Sequence, residues 1–301
     1  MKRYHGGENL ELPEKIRIEF KPSAEMDSYR GQGIDTREGQ LIWTVEWRVG
    51  VRLIKQWPGK WRKATEKQSG KRLVTAVMPT TKGREKMALH AIECFLRQEW
   101  ENKELVIVNE GDAFLMKQSN PIVREVLVER GRNNGWMRNI GDRLADGDYI
   151  IRWDDDDIHH PGRIRAQMNA VETIGAVATS LKYRIHYFID TDQAYIFSCK
   201  GEGLILYKNE GRRYFEETEE LGGTDSAFYG EYAGEVCAKE NWPGLYIRIY
   251  HGTNICSREH IANRMPKDLK KGEWRIEGPW NEKGLKIYLK SAVDNFKKAI
   301  K

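Results

Sequence analysis

Between residues 73 and 174 the hydrophobic positions alternate between short continuous runs and longer segments with helical spacing. The continuous runs are typical of buried strands and occur at residues 73–78, 104–108, 123–129 and 148–153. The helically spaced segments occupy residues 86–98, 134–144 and 161–174. This β-α-β-α order predicts an α/β domain with a mostly parallel sheet and helices on its faces.

After residue 175 the order changes to several short strands, predicted at residues 176–181, 184–189, 194–198, 203–207 and 244–250. A helix is predicted at residues 225–233. Residues 282–301 predict a basic amphipathic helix, whose apolar side carries Leu285, Leu289, Val293, Phe296 and Ile300. Packing against the core is the predicted role of this helix, and contact with a membrane surface is the alternative.

The first seventy residues have a different pattern. Alternating polar and apolar residues at 15–20 and 41–51 predict strands. Charged residues, a proline and a glycine within residues 57–70 predict a linker or surface loop. Three regions follow from these patterns: a β-rich basic appendage at residues 1–70, the α/β domain at residues 71–262, and a C-terminal basic helical segment at residues 263–301.

The composition is that of a globular protein, with 301 residues, 40% hydrophobic and 32% charged. No apolar run in the sequence approaches the roughly 18 residues that span a bilayer. The basic start, Met1 to Arg3, lacks the apolar segment that follows in a signal peptide. We therefore expect no transmembrane segment and a cytoplasmic location, in a bacterium or a virus-infected host cell. The four cysteines are widely separated, which predicts reduced structural residues.

The net charge of +5 is unevenly distributed. Residues 48–72 contain nine Lys or Arg against one acid, together with Trp57 and Trp61. Basic groups interleaved with indole rings attract polyanions and stack on bases. Trp57, Trp61 and Arg62 are therefore candidate contacts to an acceptor molecule, and a solvated linker is the alternative interpretation.

Four consecutive aspartates, Asp154 to Asp157, follow the predicted strand at residues 148–153. Two carboxylates about 5 Å apart repel each other by roughly 3 kcal/mol at an effective dielectric constant near 20. A divalent cation converts that repulsion into attraction. Ligands of parallel sheets bind beyond the carboxyl ends of the strands, which is where this cluster lies. The pattern predicts a cation site, with a solvated acidic loop as the alternative.

Four segments carry a resemblance to a known family. They read VTAVMPTTKGR at residues 74–84, AIECFLRQEWENKELVIVNEG at 91–111, MRNIGDRLADGDYIIRWDDDDI at 137–158 and GGTDSAF at 222–228. In this order and spacing they resemble the inverting glycosyltransferases of family 2, over residues 73–260. The resemblance implies the GT-A fold, which is a Rossmann-like α/β architecture. It also implies a metal-dependent transfer of a sugar from a nucleotide-sugar to an acceptor hydroxyl, with a UDP-sugar as the expected donor.

The resemblance also implies a metal and nucleotide site. Asp154-Asp155-Asp156 looks like the family's Asp-x-Asp motif, with Asp156 as ligand of Mn²⁺ or Mg²⁺ and Asp154 contacting the ribose or the metal shell. The register Asp155-x-Asp157 stays open. His251 matches a histidine that completes the metal or pyrophosphate site. Further positions that match the nucleotide-sugar site are Pro79, Thr80, Arg84, Glu110, Arg138 and Asp155.

Asp225 matches the family's general base, which takes the proton of the acceptor hydroxyl during attack on the anomeric carbon. Glu219 and Glu220 are alternative bases, and an N-terminal helix cap is the structural alternative for Asp225. The sequence departs from the family where Asn109-Glu110 replaces the usual pair of aspartates after the second strand. The family's carboxylate at this position contacts uracil, so the departure leaves the base of the sugar donor open, with Glu110 as the candidate contact.

Two acceptors fit these features. DNA with hydroxymethylated bases would suit the basic, tryptophan-containing segment and a role in viral DNA modification, whereas a cell-surface glycan is the usual setting of the family. A different class of function, a nucleic-acid-binding protein or a metal-dependent phosphoryl-transfer enzyme, is the alternative. Metal carboxylates in nucleases usually come from separated segments, so one contiguous acidic run favours the transferase. The sequence does not predict the oligomeric state.

Overall fold

The computed structural model of the protein describes residues 15–20, 35–37, 40–46, 72–116, 120–128, 130, 133–198, 204–210, 236–239, 241–254 and 265–301. Its strands are β1 (Lys15–Phe20), β2 (Asp35–Arg37), β3 (Gln40–Glu46), β4 (Val74–Thr80), β5 (Lys103–Asn109), β6 (Val123–Leu127), β7 (Tyr149–Arg152), β8 (Ile158–His159), β9 (Ala178–Leu181), β10 (Tyr183–Phe188), β11 (Gln193–Ser198), β12 (Leu206–Lys208), β13 (Val236–Lys239), β14 (Tyr246–Tyr250) and β15 (Trp274–Arg275). Its α-helices are α1 (Glu85–Leu96), α2 (Asn134–Leu144), α3 (Arg163–Ile174) and α4 (Glu282–Ile300).

The larger sheet has the order β13-β9-β12-β7-β4-β5-β6-β1-β3-β2. Its centre is parallel, because β4 pairs in parallel with both β5 and β7, and β5 pairs in parallel with β6. The predicted strand and helix order from residue 73 to residue 174 is therefore confirmed. β12 inserts antiparallel between β7 and β9, which the sequence pattern did not indicate.

The continuous apolar runs of β4 and β5 follow from burial of both sheet faces. Leu105 and Ile107 of β5 belong to the same buried cluster as Phe95 of α1. Val106 and Val108, which point to the opposite face, belong to a cluster with side chains of α2. The sheet is thus covered by helices on both sides, as an α/β domain requires.

Close packing of α2 on the sheet depends on one glycine. A Cβ atom added at Gly141 would lie 2.2 Å from Val77 Cγ1, so any larger residue would push the helix away from β4. The helix begins at a side-chain cap, since Asn133 Oδ1 accepts a hydrogen bond from the backbone N–H of Trp136 at 2.8 Å. These two features place Arg138, a predicted site residue, on a helix anchored to the central strand.

The smaller sheet has the order β15-β11-β10-β14-β8. Ile185 and Tyr187 of β10 and Ile247 and Ile249 of β14 lie in the main hydrophobic cluster, which joins this sheet to the α/β core. The short strands β8, β13 and β15 were not predicted, because two to four residues carry too little periodicity to be recognised.

The C-terminal helix α4 packs on the core, and this predicted role is confirmed. Leu285, Leu289, Val293 and Phe296 are buried in the main cluster. The Phe296 ring meets the imidazole of His90 on α1 edge-on, with ring centroids 5.2 Å apart. Within the described residues, no helix is long and apolar enough to cross a membrane.

The predicted strands at 15–20 and 41–51 correspond to β1 and β3, which pair antiparallel along their length. β1 also pairs antiparallel with β6 through Glu19 and Leu127. Trp57, Trp61 and Arg62 lie outside the described residues. The division into regions 1–70, 71–262 and 263–301 stays a prediction.

A buried ion pair links α2 to the strand that carries the acidic cluster. The Arg152 guanidinium donates two hydrogen bonds to the Asp142 carboxylate, at 2.5 and 2.8 Å, and both side chains are almost completely inaccessible. Tyr207 donates a third hydrogen bond to Asp142 Oδ2 at 2.8 Å, and its ring centroid lies 4.8 Å from the guanidinium carbon. This contact fixes the end of β7 directly before the acidic cluster.

We expect Asp142→Ala to lower the free energy of unfolding by about 3–5 kcal/mol, because it leaves the buried Arg152 charge without its carboxylate. Urea unfolding measures the change. Glu93→Ala is the matched control, since Glu93 on α1 forms an exposed ion pair with Arg97. Loss of this pair should cost about 0.5 kcal/mol or less. An equally small effect for Asp142→Ala would contradict the assigned role of the ion pair.

Candidate active site

The candidate site lies where β4, β7 and β14 end, at one edge of the two sheets. Thr80 is the last residue of β4, the aspartates Asp154 to Asp157 follow β7, and His251 follows β14. The parallel pairing of β4 with β7 brings the first two of these segments together. Hydrogen bonds from Tyr246 and Ile249 of β14 to the aspartates bring the segment with His251 to the same place.

Asp155 is a buried carboxyl group held by the end of β4. Thr80 donates a hydrogen bond from Oγ1 to Asp155 Oδ2 at 2.7 Å, and Arg84 donates one from Nη1 to Oδ1 at 2.6 Å. Burial, together with the neighbouring Asp156 charge, raises the pKa of Asp155 to about 7 despite the Arg84 contact. Asp155 therefore anchors the acidic turn to β4 and to the loop before α1.

Asp156 is the centre of the site. Its Oδ2 atom accepts hydrogen bonds from Arg84 Nη2 at 2.6 Å, His251 Nε2 at 3.1 Å and Asn254 Nδ2 at 3.3 Å. Burial favours the neutral acid, but the hydrogen bond from His251 and the charge of Arg84 outweigh it and lower the pKa of Asp156. The lowered pKa favours the ionised form of Asp156, between the buried carboxyl groups of Asp155 and Asp157.

The other two aspartates meet at Tyr246, the first residue of β14. The Tyr246 hydroxyl lies 2.9 Å from Asp154 Oδ2 and also hydrogen-bonds Asp157 Oδ2. Burial and the Asp156 charge raise the pKa of Asp157 well above its usual range. A protonated Asp157 can donate to the Tyr246 oxygen while the Tyr246 hydroxyl donates to Asp154. Asp157 Oδ1 also accepts the backbone N–H of Ile249 at 2.7 Å, which ties the turn to β14.

His251 is braced by its own loop. Asn254 Oδ1 accepts the backbone N–H of His251 at 3.0 Å, and Asn254 Nδ2 donates to the carbonyl of Ile249 at 2.9 Å. Thr253 Oγ1 lies 2.9 Å from His251 Nδ1. With its Nδ1 bonded to Thr253, the imidazole directs Nε2 at Asp156. The loop therefore presets the contact between His251 and Asp156.

The four aspartates differ in the exposure of their side chains. The side chains of Asp154 and Asp156 are 26% and 12% exposed, whereas that of Asp155 is 3% exposed and Asp157 is buried. Asp154 is also contacted by Arg138, whose Nη2 lies 3.3 Å from Asp154 Oδ1. Asp156 and His251 are thus brought together, and Asp154 lies beside Arg138 and Tyr246. Within the described residues, no three side chains of His, Cys, Asp or Glu form a complete set of metal ligands.

The remaining predicted nucleotide-site residues lie along the same edge. Pro79 is buried in β4 opposite Val108 of β5. Glu110 is buried directly after β5, and its backbone N–H donates to the Thr80 carbonyl at 2.9 Å. The side chain of Asn109 accepts the N–H of Gly111 at 2.6 Å and donates to the carbonyl of Ala113 at 3.0 Å. Asn109 thus shapes the loop after β5.

Several predicted residues lie outside the described part of the chain. They are the proposed base Asp225, its alternatives Glu219 and Glu220, and the predicted helix at residues 225–233. Their roles stay predictions.

The position of His159-His160 after the aspartates predicts loop residues before a helix that starts near Pro161. This prediction is wrong for His159, which lies in β8, is buried, and stacks on the Trp153 ring with centroids 3.8 Å apart. A bridge to β14 through Tyr246 converts this segment into a strand. Tyr246, Arg163 and Asn254 were not predicted as site residues. The contacts of Tyr246 and Asn254 with the aspartates join segments far apart along the chain, whereas Arg163 hydrogen-bonds residues between 152 and 167. The predicted strand at residues 244–250 was the available signal for Tyr246.

The model of glycosyl transferase family 2 matches residues 75–230, slightly more than half of the chain. This chain belongs to glycosyl transferase family 2. The match includes all of β4 except Val74, the acidic cluster and Asp225, and it confirms the predicted family, enzyme class and GT-A fold class. His251 and Asn254 lie beyond the matched residues, and tertiary contacts bring both to Asp156.

A curated relative is the succinoglycan biosynthesis protein ExoO of Rhizobium meliloti (strain 1021), 32% identical over 93 residues. The aligned part is 29% of this chain and 27% of the relative, so the chain spans about a quarter of the length of that relative. Among solved structures, S. aureus TarS 1-349 in complex with UDP-GlcNAc has a TM-score of 0.49 at 12% identity, over 60% of this chain and 59% of TarS.

A second solved structure is the mannosyltransferase PcManGT from Pyrobaculum calidifontis, in complex with GDP-Man and Mn²⁺. It has a TM-score of 0.47 at 14% identity, over 72% of this chain and 68% of the mannosyltransferase.

Proposed function

We propose that this family 2 member transfers a sugar, with inversion at the anomeric carbon, from a nucleotide-sugar to an acceptor hydroxyl, with Mn²⁺ or Mg²⁺ as cofactor. The observation that carries the proposal is the Asp156 carboxyl group, hydrogen-bonded to His251 and Arg84 at the carboxyl ends of β4, β7 and β14. A charged group at this edge of a parallel sheet is positioned to act on a bound ligand.

The carboxylate oxygens of the site suit a hard divalent cation such as Mn²⁺ or Mg²⁺. Asp156 would hold it, with the neutral imidazole nitrogen of His251 as a second ligand. When bound, the cation neutralises charge that develops on the leaving diphosphate. Asp154 is the predicted contact to the ribose or the metal shell, and Asp155 and Asp157 hold the turn through Thr80 and Ile249. Two protein ligands leave room for phosphate oxygens.

The sugar donor would lie between two arginines. Arg84 and Arg138 contact the acidic cluster from the loop before α1 and from α2, respectively. A planar guanidinium pairs well with a diphosphate. We propose a UDP-sugar, with Pro79, Thr80 and Glu110 at the nucleotide. Because Asn109 is hydrogen-bonded within its own loop, Glu110 is the better candidate for the contact to the base.

The general base in this proposal is Asp225. A carboxylate would take the proton from the acceptor hydroxyl as its oxygen attacks the anomeric carbon opposite the leaving group. Glu219 and Glu220 are the alternatives.

The acceptor proposed here is a glycan hydroxyl. The support is the name of the curated relative, a succinoglycan biosynthesis protein. Hydroxymethylated DNA is the second candidate, supported by nine basic residues between residues 48 and 72 and the two tryptophans among them. A phosphoryl-transfer role has no comparable support, since the acidic residues form one contiguous run.

The experiment offers UDP-glucose, UDP-GlcNAc and GDP-mannose to the whole chain with Mn²⁺ and measures release of the nucleoside diphosphate. Each donor is tested alone, with a lipid-linked glycan and with hydroxymethylated duplex DNA, and the acceptors are analysed by mass spectrometry. We expect release from a UDP-sugar that depends on the metal and a hexose mass added to the glycan. A hexose on DNA would reassign the acceptor. If no donor releases a nucleoside diphosphate and the DNA is cleaved in the presence of the metal, the transferase proposal is rejected.

A further inference from the structure

Arg163 is a buried cation directly beneath the acidic cluster. It is the first residue of α3 and is 0% exposed. Its Nη2 donates to the backbone carbonyl of Arg152 at 3.0 Å, its Nε donates to Gln167 Oε1 at 3.2 Å, and its Nη1 hydrogen-bonds His159 Nδ1. Arg152 is the last residue of the strand that leads into the aspartates, so Arg163 holds the start of that turn.

His159 extends this contact to the far side of the turn. Arginine has hydrogen-bond donors only, so His159 Nδ1 must accept from Arg163 and the proton of the neutral ring must lie on Nε2. Nε2 lies 3.0 Å from the backbone carbonyl of Asp154 and therefore donates to it. Burial and the Arg163 charge lower the pKa of His159 well below its usual range, which agrees with a neutral ring. The Arg163 guanidinium thus holds the carbonyl of residue 152 directly and the carbonyl of residue 154 through His159.

Aromatic rings fix the guanidinium itself. Its carbon lies 5.3 Å from the Trp153 ring centroid and 5.0 Å from that of Tyr246. Trp153 stacks on His159, and the Tyr246 hydroxyl contacts the carboxylates of Asp154 and Asp157. Arg163 therefore contacts the turn in three ways: directly at the Arg152 carbonyl, through His159, and through Tyr246.

The hydrogen-bond partners of Arg163 identified within the described residues are uncharged: two side chains and one backbone carbonyl. A buried charge without a contacting carboxylate is costly to retain. Tyr246 and the carboxyl groups of Asp154 and Asp157 partly compensate this charge electrostatically. This arrangement places a permanent positive charge under the carboxylates without occupying the oxygen atoms that a ligand would need.

We propose that Arg163 and His159 form a positioning unit that sets the backbone of the Asp154 to Asp156 turn for cation binding. The proposal rests on the proposed function for the identity of the cation. Neither residue touches the substrate in this view. Arg163 acts through His159, Trp153 and Tyr246 on the geometry of Asp154 relative to Asp156.

The test compares Arg163→Lys with wild type in calorimetric titrations of Mn²⁺ in the presence of UDP. Lysine keeps the buried positive charge but cannot bond the Arg152 carbonyl and His159 with one planar fork. Residues that orient metal ligands typically change metal affinity about 10–100-fold, and we expect a weakening of this size. His159→Leu should give the same loss, whereas His159→Gln, with an amide N–H able to reach the Asp154 carbonyl, should recover part of the affinity.

Arg165→Gln is the matched control. Arg165 lies on the same helix, and its exposed side chain pairs with Glu99. The variant should bind Mn²⁺ and UDP like wild type. A role of Arg163 in folding alone would reduce the amount of active protein without changing the half-saturating Mn²⁺ concentration. Unchanged affinity in folded Arg163→Lys would overturn the proposal.

Failure of the proposed function is separable from failure of this inference. If wild type binds neither Mn²⁺ nor UDP, the proposed function fails, and crystal structures of wild type and Arg163→Lys decide the inference. A displaced Asp154 carbonyl with α3 in place supports the positioning role. An unmoved turn rejects it.

Discussion

We expect Asp156→Ala to abolish Mn²⁺-dependent binding of UDP and to reduce transfer by about 10²–10³-fold or more. Asp156 is the carboxylate whose pKa is lowered by His251 and Arg84, so its removal takes away the ionised ligand at the centre of the site. Calorimetric titration of UDP with and without Mn²⁺ measures the binding, and release of the nucleoside diphosphate measures the transfer.

The control for this substitution is Asp268→Ala, because Asp268 is a highly exposed carboxylate paired with Arg275 away from the acidic cluster. Its removal should leave UDP binding unchanged. Retained Mn²⁺-dependent affinity in Asp156→Ala would show that another residue binds the cation, and Asp155→Ala and Asp157→Ala would then test the second register.

We expect Asp225→Asn to retain binding of the sugar donor and to lose turnover by about 10²–10⁴-fold, the usual contribution of a general base. Asparagine keeps the size and the helix-capping ability of aspartate but cannot accept the proton of the acceptor hydroxyl. Donor affinity is measured by calorimetry and turnover by product formation at saturating sugar donor and acceptor.

Glu219→Gln and Glu220→Gln are the comparison variants for the base. Each should keep near-normal turnover if Asp225 takes the proton. Near-normal turnover in Asp225→Asn would reassign this residue to helix capping. A large loss in one of the glutamate variants instead would assign the base to that glutamate.

The α/β part of the fold was predictable because its signals are local. β4 and β5 are continuous apolar runs, and α2 has helical spacing with a capping asparagine, so each element could be located from its own residues. The acidic cluster was predictable as a site because four aspartates after a buried strand are costly without a cation. The family match then agreed with the motifs from which the resemblance was drawn.

Other features depend on contacts between distant segments. β8 has two residues and exists through its bridge to β14, so His159 was assigned to a loop. The different contacts of the four aspartates could not be predicted either, because four adjacent aspartates are chemically identical in the sequence. Their partners Thr80, Ile249 and His251 come from β4, β14 and the residue after β14.

Local patterns alone were enough to indicate a mostly parallel α/β domain with an acidic edge, and the resemblance of four segments indicated the glycosyltransferase family. Tertiary structure was needed to show that Asp155 and Asp157 are buried anchors, that Asp156 contacts His251 and Arg84, and that Arg163 lies beneath them. The reason is physical: hydrophobic periodicity is encoded within a few residues, whereas the charge state and orientation of a carboxylate depend on burial and on neighbours brought together by folding.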